Sequence, residues 1–251
     1  MAGGSAPGAS LVARTLDVLG AFDDQHRRLT LTQLAGRAGL SAPTTLRIVR
    51  QLVAGGALVR EEDGRYAVGR RMWDLGLLAP VQTRLRDVAA PFLADLQAAT
   101  RATVHLAVRD GDAALYLDRL SGVASVPVAS RMGTRLPLHA TGVGKVLLAH
   151  APPEVRERVL ARPTAVTPYT VTSRRVLAGQ LARVARDGYA TTTEEMTLGA
   201  SSVAVPVRVG GEVVAAMGVV VADFRHHRAR LLAGLQVAAA GVGRGLSQPA
   251  S

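Results

Sequence analysis

Apolar residues recur at helical spacing from the start of the chain. Leu11, Leu16, Val18, Leu19 and Phe22 predict an amphipathic helix ending near Asp23-Asp24. Thr30-Leu31-Thr32-Gln33 then has the form of a capping box, in which the Thr30 hydroxyl takes an orphan amide and Gln33 reaches back. Leu34 and Ala35 continue an apolar face, and Gly39 predicts the stop. Ser41 is a natural N-cap and Pro43 fits a first turn whose amides lack intrahelical partners, so a third helix starts there. At about 100° per residue, Thr45, Ile48, Val49 and Leu52 share one face while Pro43, Arg47 and Arg50 project from the other. Leu58-Val59-Arg60 and Arg65-Tyr66-Ala67-Val68 flank an Asp63-Gly64 turn and predict a hairpin.

Two short helices, a third with two guanidinium groups on its outer face, and a hairpin form a winged helix-turn-helix, whose third helix enters the major groove. The DNA-facing set is Ser41, Pro43, Thr44, Leu46, Arg47 and Arg50, with Arg60 and Arg65 from the wing. Thr44 and Arg47 are placed to read base edges, and Arg50 and the wing arginines to hold phosphate. The acids Glu61, Glu62 and Asp63 at the wing tip count against deep insertion. A three-helix core with incidental surface arginines is the plain alternative.

From Arg70 to Gln97 the pattern is helical through Met72, Leu75, Leu78, Leu85, Val88 and Leu93, with interruptions expected at Pro80 and Pro91. Trp73, in this connector, is read as ordinary packing, with a role in subunit contact as the alternative. Beyond residue 100 strand-like runs cover 103–108, 114–118, 126–129, 190–193, 203–209 and 213–221. Asp110-Gly111 and Gly210-Gly211 mark hairpins, and helical segments cover 142–150, 153–160, 174–186 and 228–246. Adjacent hairpins mixed with helices predict an antiparallel α+β domain. The chain therefore divides into a tail (1–9), a winged helix-turn-helix (10–70), a linker helix (71–84) and an α+β domain (85–247).

Composition narrows the function. At 251 residues and 48% hydrophobic, the chain has length and apolar surface for two domains. No apolar run reaches the roughly 20 residues that span a bilayer, and the Gly/Ala/Ser-rich start has no signal core, so a cytoplasmic protein with no membrane partner is expected. The absence of cysteine excludes disulfides, thiolate metal sites and a cysteine nucleophile. Of the net charge of +11, residues 1–84 carry +4 (11 arginines against seven acids) and the remainder +7. The excess is not confined to one half, so a DNA argument rests on where individual arginines sit.

Thr141-Gly142-Val143-Gly144-Lys145-Val146 is a glycine-rich turn opening a helix, with the chain's only lysine. It is not a phosphate-binding loop, because His139 and Val146 occupy the positions that need glycine and a hydroxyl. Its helix start can still receive an anion. Glu194 and Glu195 are read as solvent-facing or capping carboxylates, His139 as a structural hydrogen-bonding residue, and His226-His227 as a loop without further ligands. No cofactor, metal or catalytic residue is expected.

Residues 136–149, Leu-Pro-Leu-His-Ala-Thr-Gly-Val-Gly-Lys-Val-Leu-Leu-Ala, closely resemble the most recognisable stretch of the IclR family. Segments 34–40, 64–69, 187–195 and 199–207 follow in family order, and the resemblance covers roughly residues 11 to 246. It implies a winged-helix domain, a linker helix and a GAF-like effector domain, assembled as a homodimer or dimer of dimers on a double-stranded operator. Such proteins act as repressors or activators under small-molecule control. Carried over residue by residue, the effector pocket uses the amides of Gly142 and Val143; family acidic, cysteine and two serine positions are Thr192, Ser202, Gly218 and Val220 here. Fewer polar anchors, with Val128, Leu136 and Val143 as walls, imply a carboxylic or aromatic effector with a larger apolar body than glyoxylate or pyruvate. A constitutive DNA-binding protein whose sensor binds nothing, and a GAF-fold enzyme, stay open as alternatives.

Overall fold

A computed structural model of the chain describes residues 10–23, 25–78, 83–123, 125–126, 128, 130–223 and 228–248. The tail 1–9, Pro80 and the His226-His227 pair lie outside the described residues. The chain forms two compact units, Met1–Val81 and Gln82–Ser251.

In the first unit, α1 (Leu11–Gly20), α2 (Leu31–Ala38) and α3 (Ala42–Ala54) pack on a three-stranded antiparallel sheet of β1 (Arg28–Leu29), β2 (Leu58–Arg60) and β3 (Tyr66–Val68), in the order β1-β3-β2. Thr30 caps α2 by accepting from the Gln33 amide at 3.3 Å, and Gln33 Oε1 accepts from the Thr30 amide at 2.9 Å. Gly39 ends the helix at φ 66°, a left-handed conformation that costs glycine little. Val18, Leu29, Leu34, Ile48, Val49, Leu58 and Tyr66 form the core. Fully burying each such aliphatic side chain is worth about 2 kcal/mol.

Two expectations fail here. Helix α1 stops at Gly20, and it buries only Val18; Leu11 and Leu16 are 51% and 62% exposed, because the helix reaches the core only through its last turn. Trp73 does not pack into the core of its unit but is 65% exposed on α4 (Arg70–Leu77), a helix with no buried residue among those whose side chains are described.

In the second unit, α5 (Thr83–Thr100) leads into β4 (Thr103–Asp110), β5 (Ala113–Leu120), β6 (Arg135–Pro137), α6 (Gly142–Ala149), α7 (Pro153–Ala161), α8 (Arg174–Asp187), β7 (Ala190–Thr193), β8 (Ser201–Val209), β9 (Glu212–Val221) and α9 (Arg228–Ser247). The strands form one antiparallel sheet ordered β6-β5-β4-β9-β8-β7. Pro91 does not interrupt α5: its ring is exposed, and the helix runs through it with Ala89 and Leu93 anchored in the core on either side. Within 126–129, the described Val126 and Val128 belong to no strand.

Strand alternation sorts the sheet's two faces. Val104, Leu106, Val203, Val205, Met217 and Val219 point to one side, where they pack with Leu93 of α5 and Leu235 of α9. Ala107, Tyr116, Ala204 and Ala216 point to the other, against Val143, Val146 and Leu147 of α6 and Leu181 of α8. The same alternation turns His105, Gly218, Val220 and Ser202 toward the α6 side. With helices on both faces, β4 is buried from Thr103 to Val108.

Candidate functional sites: an arginine-bearing face and a cavity under α6

The N-terminal half of α3 presents the first site. Ser41 occupies the N-cap position, but its hydroxyl donates to Thr44 Oγ1 at 2.9 Å instead of capping an amide. Pro43 follows in the first turn, and Thr45 is buried, its hydroxyl donating to the Ser41 carbonyl at 3.0 Å. That anchors the opposite face, so Ser41, Pro43, Arg47 and Arg50 are exposed while Thr44 and Leu46 are partly exposed. Arg47 and Arg50 make no ion pair or hydrogen bond with other described residues.

Leu46, Arg50, Arg60 and Tyr66 line one groove between α3 and the hairpin. The Arg60 guanidinium sits over the ring of Tyr66, its partner in the last strand pair before the turn, 5.9 Å from the ring centre. Arg65, by contrast, leans on Asp63 at the tip, 3.5 Å away. The short strand β1 had no readable periodicity at two residues; its Arg28 reaches Glu61 at 3.2 Å.

The second site is a cavity between α6 and the sheet, with about 480 Å³ of empty space, open mouth included. All eight predicted residues line it: Val128, Leu136, Gly142, Val143, Thr192, Ser202, Gly218 and Val220. Sequence reasoning missed His105, Tyr116, Ser130, Thr141, Met196, Thr197, Ala200, Ser201 and Ala204. The readable signal was Thr103 and His105 as the polar positions of an otherwise apolar run.

Thr141 caps α6 by accepting from the Gly144 amide at 3.1 Å, and its carbonyl accepts from the Lys145 amide at 2.8 Å. The amides of Gly142 and Val143 therefore lack intrahelical acceptors at the positive end of the helix. Both contact points leave little room for a side chain. A Cβ on Gly142 would lie 2.5 Å from Ser202 Oγ, and one on Gly218 would lie 2.9 Å from Val143 Cγ1. Thr192 and Ser202 share a hydrogen bond of 2.6 Å beside that helix start. At the other end, His105 Nε2 and Ser130 Oγ are 2.7 Å apart. Burial, helped by the nearby Arg119 charge, lowers the His105 pKa to about 3, so the ring is neutral. Burial also pushes the Tyr116 hydroxyl well above its usual range, against a hydrogen bond to Thr141.

Behind the cavity, Lys145 Nζ donates to Glu195 Oε1 at 2.5 Å and to Gln180 Oε1 at 2.7 Å. Glu195 is thus buried and ion-paired, not solvent-facing, because the helix carries its only cation inward; Glu194 remains outside and accepts from the Gly199 amide at 2.7 Å. His139 hydrogen-bonds the Thr164 carbonyl at 2.9 Å. No group of three or more His, Asp or Glu able to hold a metal occurs among the described residues. No helix among them is long and apolar enough to cross a membrane.

A winged helix-turn-helix with unpaired outer arginines, in one chain with a domain built round a polar-ended cavity, defines a DNA-binding regulator with a ligand-sensing domain. Comparison with known proteins specifies which. Residues 11–62 match the IclR helix-turn-helix domain, and residues 79–244 match the bacterial transcriptional regulator IclR C-terminal domain. The chain belongs to the IclR family of transcriptional regulators. It is 33% identical over 199 residues to the HTH-type transcriptional regulator XynR of Escherichia coli (strain K12), covering 78% of this chain and 79% of that one. It is 32% identical over 203 residues to the p-hydroxybenzoate hydroxylase transcriptional activator of Acinetobacter baylyi, covering 78% and 74%. The crystal structure of an IclR homologue from Microbacterium hydrocarbonoxydans complexed with 4-hydroxybenzoate superposes with a TM-score of 0.89 at 36% identity, covering 94% of this chain and 99% of that one. These relatives are transcriptional regulators, not enzymes.

Proposed function

We propose that this regulator responds to an aromatic carboxylic acid seated between α6 and the sheet, and that occupancy changes its affinity for an operator. The observation that carries this reading is the character of the cavity. No Lys or Arg lines it among the described residues, so the carboxylate charge falls to the Gly142 and Val143 amides and the Thr192–Ser202 hydroxyls. Val128, Leu136, Val143 and Val220 give walls too extensive for a two- or three-carbon acid to fill. A relative solved with 4-hydroxybenzoate supports the same class.

The effector acts by binding one of two states more tightly, so its differential affinity is what reaches the DNA-binding unit. Thr44 and Arg47 read base edges in the major groove, and Ser41, Pro43 and Leu46 shape that contact; Arg50, Arg60 and Arg65 hold phosphate. The exposed Trp73, Leu75 and Leu78 of the α4 region support assembly as a homodimer, or a dimer of dimers, on two half-sites. A DNA target supports action in the cytoplasm.

Calorimetry on the full chain with 4-hydroxybenzoate, benzoate and pyruvate tests the ligand class. The expected result is aromatic acids binding at least about tenfold more tightly than pyruvate, a difference of about 1.4 kcal/mol. Sub-millimolar pyruvate binding with no aromatic acid bound would overturn it.

A further inference from the structure

The cavity has a second polar end that a carboxylate does not need. His105 and Ser130 are each 3% exposed, and their side chains meet at 2.7 Å. The His105 ring stands edge-on to the buried Tyr116, with centres 5.0 Å apart and planes at 90°. The pair is therefore fixed in position by its neighbours. Two residues along the same face of β4, the fully buried Thr103 hydroxyl has no partner among the described residues, so this end of the sheet is polar beyond the pair itself.

The hydrogen-bonding capacity of the pair decides what it can receive. If the Ser130 hydroxyl donates to Nε2, both Oγ lone pairs stay free; if the neutral imidazole donates through Nε2, one remains. In either tautomer Ser130 Oγ can accept one further hydrogen bond. Because the ring is neutral, the pair itself carries no charge and suits a neutral O–H donor; the nearest cation, Arg119, pairs with His105 across the strands and is not among the residues that line the cavity.

Spacing selects the molecule that could reach both ends. His105 on β4 pairs with Gly218 on β9, which pairs with Ala204 on β8, two residues from Ser202. His105 and Ser202 are thus two strands apart and two residues offset, roughly 12 Å between backbone positions, with their side chains reaching inward. Gly218 and Ala204 lie between them with the smallest side chains of this face, and Val143 packs over Gly218.

We propose that His105 and Ser130 form a specificity subsite that accepts the hydroxyl of a phenolic acid whose carboxylate lies at the start of α6. The inference rests on the aromatic-acid reading above and adds a requirement for a hydrogen-bond donor opposite the carboxylate. The ligand class is a benzoic acid with a para hydroxyl.

Calorimetry on the full-length protein with 4-hydroxybenzoate, 4-fluorobenzoate and benzoate tests it, in the wild type, Ser130→Ala and Ser130→Thr. The wild type is expected to prefer 4-hydroxybenzoate over both others by about tenfold, the scale of one buried hydrogen bond lost. Ser130→Ala should bring that ratio to near one, and Ser130→Thr, which keeps the hydroxyl, should preserve it. The three acids binding the wild type equally would overturn the subsite and leave the aromatic-acid reading standing, as would a ratio that survives Ser130→Ala. Failure of all three to bind would overturn both.

Discussion

Replacing Glu195 by Gln removes the counter-charge that pairs with a buried lysine. The Lys145 and Glu195 side chains are 1% and 7% exposed, and among the described residues the lysine's other partner is the neutral Gln180 oxygen. Burial lowers the Lys145 pKa, and Glu195 opposes that shift through its charge and its hydrogen bond. Breaking a buried pair costs about 3–5 kcal/mol; a glutamine oxygen that still accepts from Nζ puts the expected loss near 3 kcal/mol. For a unit spanning Gln82–Ser251 that corresponds to a fall in Tm of about 6–12 °C. The pH dependence carries a sign. A lysine held below its usual pKa when folded is penalised while charged, so the deficit is full at neutral pH and shrinks as pH rises toward the unfolded lysine value. Thermal unfolding at several pH values reads both effects, and a Lys145→Met, Glu195→Leu double variant should lose less than Glu195→Gln alone. A loss under about 1 kcal/mol, or one that does not change with pH, would refute the reasoning.

Other perturbations have equally definite outcomes. Gly142→Ala sets a methyl 2.5 Å from Ser202 Oγ and should weaken aromatic-acid binding by more than about tenfold in calorimetry; undiminished binding would contradict the placement of the ligand. Because His105 stays neutral when folded, with its pKa lowered to about 3, stability is retained above pH 6.5 and lost as pH falls toward 3. Denaturant titrations should show a His105-dependent loss of about 2 kcal/mol between pH 8 and pH 5, absent in His105→Asn. Thr30→Ala removes the α2 capping box and should cost about 1 kcal/mol in the same assay, with no change implying that water replaces the cap.

Much of this molecule was legible because local rules and tertiary packing agree. The Thr30–Gln33 box, Gly39, Pro43 and the Asp63-Gly64 turn lie where the backbone needs them, and the Asp110-Gly111 and Gly210-Gly211 turns join neighbouring strands. What was hidden depends on distance along the chain. Lys145 and Glu195 are 50 residues apart, and neither carries a mark of the other; the reading of Glu195 as exposed failed for that reason. Likewise His105 and Ser130 meet across 25 residues, so the second polar end of the cavity has no linear motif. Strands β1 and β6, of two and three residues, are too short to show a period. Periodicity also overstated burial: Leu11 and Leu16 have helical spacing, yet they are 51% and 62% exposed among the described residues. Pro91 misled in the opposite direction, since the packing of Ala89 and Leu93 outweighs one lost helical hydrogen bond.

The central claim is that occupancy of the cavity is coupled to DNA binding, and one titration tests it most directly. Labelled duplex from immediately upstream of the gene is titrated with wild-type protein and Arg47→Ala, each with and without saturating 4-hydroxybenzoate, at fixed salt and against a scrambled duplex. The account predicts specific binding that Arg47→Ala weakens by about 1–3 kcal/mol and that the ligand shifts at least about fivefold in the wild type. Equal affinity for both duplexes, or a ligand that fills the cavity and leaves DNA affinity unchanged, would contradict it.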